Sequence, residues 1–317
     1  MEEQHQATAH IDSLDMITPD LFRYKGMNFP VNEKLRPKDI DALKDFEIRP
    51  TDVFIITFPK SGTVWMQQIL SQIMEASHPG WAEDVTNRAQ IPYLEGRTVD
   101  DPFRDRKEPR VVCTHLFPEL LPHGVKEKQI KVVYVLRNPK DVLVSLYHFA
   151  HSWVLMDSPT SFEVFFKQFM DGKQFVGSWF AHVKQYVAAQ EQLKIHIVWY
   201  EDMLKDLRGE VVKICAFLGE ELTDEAIDRV VEASTFKSMK INPKANYKDL
   251  VETTVYTTAT MRKGVAGDWK NHLTVSQNEH FEKVFREEMS EFPLISNIES
   301  LLQVIVLCVT PLVWPFL

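Results

Sequence analysis

Cysteine is scarce: Cys113, Cys215 and Cys308 are the only three in 317 residues. They form an odd, scattered set with no CxxC pair and no Cys/His cluster. That leaves no framework for a disulfide-stapled fold, and no metal is expected. Excess positive charge is missing too. A net charge of −9 and a pI near 5.7 argue against a nucleic-acid binder, which would present a basic face. The first residues are polar and acidic rather than those of a secretory leader, and no internal repeat or low-complexity tract stands out. With so few thiols, a reducing, cytoplasmic setting is the expectation. What the chain does have is apolar surface: 44% hydrophobic residues, enough for the full core of a large α/β domain.

The chain is organised around residues 53–74, VFIITFPKSGTVWMQQILSQIM. Residues 53–58 are an apolar, β-branched run of the length of a buried strand. Pro59 and Gly62 break it. From Thr63 onward Trp65, Ile69 and Ile73 recur at the spacing of one helix face. The stretch therefore reads as first strand, tight phosphate-binding loop, helix. Backbone N–H groups at a helix start, together with its dipole, favour an anion. Lys60 adds a positive charge there, and Ser61 and Thr63 add hydroxyls. The loop is P-loop-like without being the nucleoside-triphosphate motif. That motif places its lysine after the second glycine, whereas Lys60 precedes Gly62. Taken alone, the segment also reads as a plain strand-to-helix turn that contains a lysine.

Along the rest of the chain, residues 1–20 read as a loose, polar N-terminus, and the aromatic run 21–30 as a packed strap or a lid. Residues 78–110 are mostly loop, with an apolar spot at 91–94 (IPYL). Further strands are predicted at 110–114, 130–136 and 195–199. Asn138 caps the next helix, with Pro139 in its first turn and Asp141 favourable to its dipole. Residues 161–190 read as helix interrupted near Gly172 and Gly177. Helices are also expected at 204–218, 223–233 and 274–289. Strands alternating with helices imply a single α/β domain with a mostly parallel central sheet flanked by helices.

Lys60, His115, Arg137 and Tyr200 each stand just past the end of a predicted strand. Ligands of such sheets bind outside the carboxyl ends of the strands, so these residues should meet in one crevice. Lys60, Arg137 and the Arg262–Lys263 pair imply a ligand with two anionic ends. Trp65 and Phe236 can sandwich a flat base.

The segments TFPKSGTVWMQQI, YVLRNPKDVLVSLYHF, STFKSMKINP and RKGVAGDWKNHLTV resemble the cytosolic sulfotransferases over residues 21–289, with the amine-sulfotransferase branch looking most similar. The resemblance implies a sulfotransferase enzyme that uses 3′-phosphoadenosine 5′-phosphosulfate (PAPS), without a metal. It would transfer the sulfuryl group by in-line displacement to a phenol, steroid or amine. It implies that Lys60, Ser61, Gly62, Thr63, Val64 and Trp65 bind the 5′-phosphosulfate. Arg137, Ser145, Arg262, Lys263 and Gly264 would bind the 3′-phosphate. Tyr200, Ser234, Thr235, Phe236 and Met239 would contact the nucleotide, with His115 as catalytic base and Lys60 stabilising the leaving oxygen. Tyr93, Phe149 and Tyr247 match acceptor-wall positions, which implies a small hydrophobic acceptor. Lys270, Thr274, Val275 and Glu279 match a short homodimer motif; a polar helix start is the plainer reading.

Three positions depart from the family pattern. Val64 stands for a frequent threonine, Cys113 for a frequent lysine near the acceptor, and Thr260 for a frequent aromatic. A nucleotide-binding protein that has lost transfer is therefore the alternative function, and a P-loop kinase is disfavoured by the order around Lys60. After Met289 the resemblance fades. Residues 291–317 form an atypical tail whose stretch 301–317 is apolar and uncharged; a membrane anchor there is possible but not favoured.

Overall fold

The computed structural model describes residues 14–32, 35–96 and 103–292. Residues 1–13 and the apolar tail from 293 onward, with Cys308, lie outside the described residues. The first elements are β1 (Asp15–Thr18), β2 (Leu21–Tyr24) and β3 (Met27–Pro30), an antiparallel sheet. The aromatic run thus forms a packed hairpin, with Phe22, Met27 and Phe29 in the core. Residues 15–18, expected to be loose on polarity, are strand because their backbone pairs with β2. Asn28 of β3 exchanges backbone hydrogen bonds with Val176 and so fixes the loop that follows the Phe162–Met170 helix.

The main sheet contains β4 (Val53–Thr57), β5 (Val111–Thr114), β6 (Lys131–Leu136) and β7 (Lys194–Trp199). Its order is β5-β4-β6-β7 and every pairing is parallel. Both faces are covered, as parallel sheets require. Phe54, Ile56, Val112, Val132 and Tyr134 face one core layer, against Phe165, Trp179 and Tyr186. Val53, Ile55, Val111, Val133 and Val135 face the other, against Ile69 and Ile73 of the Thr63–Ser77 helix. Such two-sided burial explains why these strands read as apolar runs rather than as alternating ones. The buried pair Arg110–Asp52 ties the start of β5 to that of β4, at 2.7 and 2.8 Å.

Two helical expectations change in detail. The interrupted stretch resolves into helices Phe162–Met170 and Trp179–Ala189, with Gly172 and Gly177 at positive φ between them. The helix expected over 204–218 is two helices, Tyr200–Lys205 and Leu207–Leu218. Asp206 divides them because its carboxylate caps the second one at Gly209 N–H.

The register aligns the carboxyl ends of the four strands: Ile56 lies beside Thr114, Thr57 beside Val135, and Leu136 beside Trp199. Residues immediately past those ends therefore meet on one edge.

Candidate active site

At that edge lies a cavity of about 480 Å³. Lys60, His115, Arg137 and Tyr200 all line it, so the strand-end residues do converge. The loop after β4 is shaped for an anion. Lys60 takes φ +70° and Gly62 φ +115°, and the Thr63–Ser77 helix begins with no side-chain cap. Its first amides are left for a ligand. A Cβ on Gly62 would come within 2.9 Å of the Tyr200 ring, so only glycine lets the loop pass Tyr200 so closely. Ser61 Oγ, Arg137 Nε and Ser234 Oγ are buried with no hydrogen-bond partner among the described residues. Buried polar atoms are normally paired, so these orphans fit a polar ligand.

The cations are held in place. Arg137 donates to the carbonyls of Lys60 (3.0 Å) and Val265 (3.2 Å), and its guanidinium lies 4.2 Å from the Tyr200 ring centre. Arg262 and Lys263 sit 2.7 and 2.6 Å from the Asp268 carboxylate. Although burial opposes it, Lys263, Asn271 and Arg262 keep that carboxyl far below the usual range. Burial, together with Arg137 and Arg262, lowers the Lys60 ammonium to about 8. Gly264 takes φ +66° with the Phe236 ring directly against it. Trp65 makes an edge contact with Tyr200 at 5.2 Å and donates to the Ser234 carbonyl.

His115 is the other pole of the cavity. Its Nδ1 lies 2.7 Å from the Thr57 carbonyl, which can only accept. Nδ1 therefore carries the proton and Nε2 keeps a lone pair. The Thr57 hydroxyl is 3.1 Å from Nδ1 and 2.7 Å from Thr63 Oγ1, joining the histidine to the start of the Thr63–Ser77 helix. Burial, and Lys60 to a lesser degree, push His115 down to about 4. It is a neutral imidazole at physiological pH.

Most of the remaining expected residues line the cavity as well: Gly62, Thr63, Val64, Trp65, Ser145, Phe236, Met239, Arg262, Lys263 and Gly264, with Tyr93 and Phe149. Thr235 and Ser234 stand just behind it. Thr235 caps the Phe236–Ile241 helix, and Ser234 offers its carbonyl to Trp65. Tyr247 does not reach the cavity; its hydroxyl donates to Gln67 behind Tyr93. Cys113 is fully buried on the side of the sheet that packs against the Thr63–Ser77 helix. Thr260 does line the cavity. Lys270, Thr274, Val275 and Glu279 lie apart, at and just before the start of the Val275–Met289 helix, where Thr274 and Gln277 form a capping box.

Sequence reasoning missed Glu95, Trp153, Phe175 and Tyr256, all lining residues. Trp153 and Tyr256 pair as an isolated bridge, and the Phe175 ring lies 6.1 Å from His115. Their segments are loops without periodicity, so only an unusual density of rings marked them. Among the described residues no group of His, Cys, Asp or Glu is placed to hold a metal ion, and no helix is long and apolar enough to cross a membrane.

A model of the sulfotransferase domain matches residues 50–293. An amine sulfotransferase of Oryctolagus cuniculus is 40% identical over 278 residues, covering 86% of this chain and 92% of that protein. Mouse sulfotransferase SULT7A1, solved in complex with PAP, superposes with a TM-score of 0.75 at 28% identity, covering 90% of this chain and 99% of the other. Retinol dehydratase in complex with androsterone and the inactive cofactor PAP gives 0.75 at 25% identity, covering 90% and 94%.

Proposed function

The chain is an enzyme of the sulfotransferase family, and from that premise we propose that it transfers a sulfuryl group from PAPS to a hydroxyl or amine of a small hydrophobic acceptor. The observation that carries this reading is the convergence of Lys60, Arg137 and a neutral His115 on one cavity. When bound, the donor supplies the activated sulfuryl group on a leaving nucleotide with phosphates at both ends. Two cationic poles suit such a molecule. Ser61, Gly62, Thr63 and Lys60 would hold the 5′ end, and Arg137, Ser145, Arg262 and Lys263 the 3′-phosphate. The orphaned Ser61 and Arg137 atoms support the fit.

His115 Nε2 takes the proton from the acceptor hydroxyl or amine as that atom attacks. The fixed Nδ1–H bond to Thr57 keeps the accepting nitrogen aimed at the cavity. Lys60 supplies positive charge where charge builds on the leaving oxygen, and the surrounding rings exclude water. Tyr93, Phe149, Trp153, Phe175 and Tyr256 at the same end support an apolar, ring-bearing acceptor. The reading extends to a homodimer through Lys270, Thr274, Val275 and Glu279, supported by the exposure of Val275. It also extends to a cytoplasmic setting, supported by the free thiols Cys113 and Cys215.

The test is PAPS-dependent sulfation across a panel of phenols, steroids and amines, with wild type and His115→Ala. Loss of the base should lower turnover about 10³-fold while PAP binding persists. Near-normal turnover by the variant would remove His115 from this role.

A further inference from the structure

The apolar spot at 91–94 lies against the edge of the main sheet. Tyr93 forms a parallel bridge with Cys113, Leu94 N–H donates to the Cys113 carbonyl, and Cys113 N–H donates to the Pro92 carbonyl. This short pairing lengthens the sheet beside β5 and carries Glu95 to the point where β5 ends. There one carboxyl oxygen accepts the backbone N–H of His115 at 2.8 Å, and the other lies 2.7 Å from the Thr114 hydroxyl. Thr114 Oγ1 in turn accepts the Leu116 N–H.

We propose that Glu95 is a positioning residue for the base, clamping the backbone of His115 while Thr57 fixes its ring. The inference rests on the sulfotransferase reading above. His115 N–H can only donate, so Glu95 Oε1 accepts it in either protonation state. Burial raises the Glu95 carboxyl above its usual range, against the hydrogen bonds from Thr114 and His115. Thr114 Oγ1 has two lone pairs, so beside the Leu116 N–H it can take a proton from Glu95 as well as give one. Among the described residues lining the cavity Glu95 is the only acid, beside the cations Lys60, Arg137, Arg262 and Lys263. An acid in a basic site is explained by what it holds: the strand end from which the base projects, with Tyr93 of the same segment placing its ring 5.2 Å from the imidazole. Without the clamp the imidazole would still be present, but its backbone N–H would be orphaned and its ring free to drift. A shift of about 1 Å in a reacting group typically costs on the order of 10² in rate.

The experiment measures kcat, acceptor KM and PAP affinity for Glu95→Ala, Glu95→Gln and Glu95→Asp. Glu95→Ala should lower kcat about 100-fold with PAP affinity within about twofold of wild type. Glu95→Gln can still accept from His115 N–H and can donate to Thr114 Oγ1, so it should lose no more than about fivefold. Glu95→Asp keeps the carboxyl group but is too short for both partners, and should fall about tenfold. The order Gln above Asp is the signature of geometry over charge. A kcat for Glu95→Ala within about threefold of wild type would overturn the proposal, as would a parallel loss of PAP binding, which marks a general structural role. If Glu95→Ala does not fold, a wild-type kcat for Glu95→Asp overturns it instead. A wild-type enzyme that neither binds PAP nor sulfates any acceptor refutes the functional reading itself, an outcome separate from the ranking of these variants.

Discussion

Gly264→Ala probes the donor end with two separable costs. Gly264 takes φ +66°, where an added Cβ costs about 1–2 kcal/mol. That Cβ would also lie 2.2, 2.6 and 2.7 Å from Cδ2, Cε2 and Cγ of Phe236. Carbon atoms pack at about 3.5 Å or more, so the ring must retreat by more than about 1 Å. Even Cγ, at the root of the ring, is too close, and a terminal wobble cannot relieve the clash. Phe236 belongs to a short helix whose next turn buries Met239, so the ring has little freedom to yield. Stacking of a base on an aromatic side chain is worth about 1–3 kcal/mol, roughly a 10- to 100-fold change in affinity. We therefore expect Gly264→Ala to weaken PAP binding by that factor in calorimetry and to lower the melting temperature by several degrees. Gly267→Ala is the control. It has φ +82° but nothing within 4 Å of its Cβ, so it carries the backbone cost alone. It should lose less stability than Gly264→Ala and keep its PAP affinity. If the two variants bind PAP equally well, Phe236 does not face the nucleotide base as argued.

Four further outcomes follow from particular groups. The pH profile of kcat/KM should be bell-shaped with limbs near 4 and 8, because His115 is pushed down to about 4 and Lys60 to about 8; an acid limb at about 6.5, the value of a free histidine, would contradict a buried neutral base. The same histidine makes stability fall as pH drops from about 6.5 toward 4, since there the unfolded chain binds more protons than the folded one; acid titration of the melting temperature reads this directly. Asp52→Ala leaves Arg110, with only 2% of its side chain exposed, without its bidentate partner; it should cost about 3–5 kcal/mol in denaturant unfolding while a folded fraction still binds PAP. Val275→Glu places a charge on a side chain that is 75% exposed; light scattering should show dimer converted to monomer at unchanged melting temperature, and a persisting dimer would exclude this helix start as the interface.

The sequence by itself determined the four strands of the main sheet, the loop after the first of them and the residues at their ends. Apolar β-branched runs, glycine at an unavoidable left-handed turn, and Asn138 before Pro139 act locally, and local physics is written in neighbouring residues. Hence Lys60, His115, Arg137 and Tyr200 were legible as one group once a parallel sheet was inferred. Tertiary structure alone decided the rest. Glu95 owes its place to a short pairing beside β5 that no periodicity announces. Tyr247, a tyrosine like Tyr93, lies behind the cavity instead of lining it, because the direction of each side chain depends on the path of its loop. Thr57 became the partner of His115 only when parallel pairing brought the end of β4 beside that of β5. The buried ends of separate strands meet by register, and register is a property of the folded sheet, whose hydrogen bonds join residues that the chain keeps far apart.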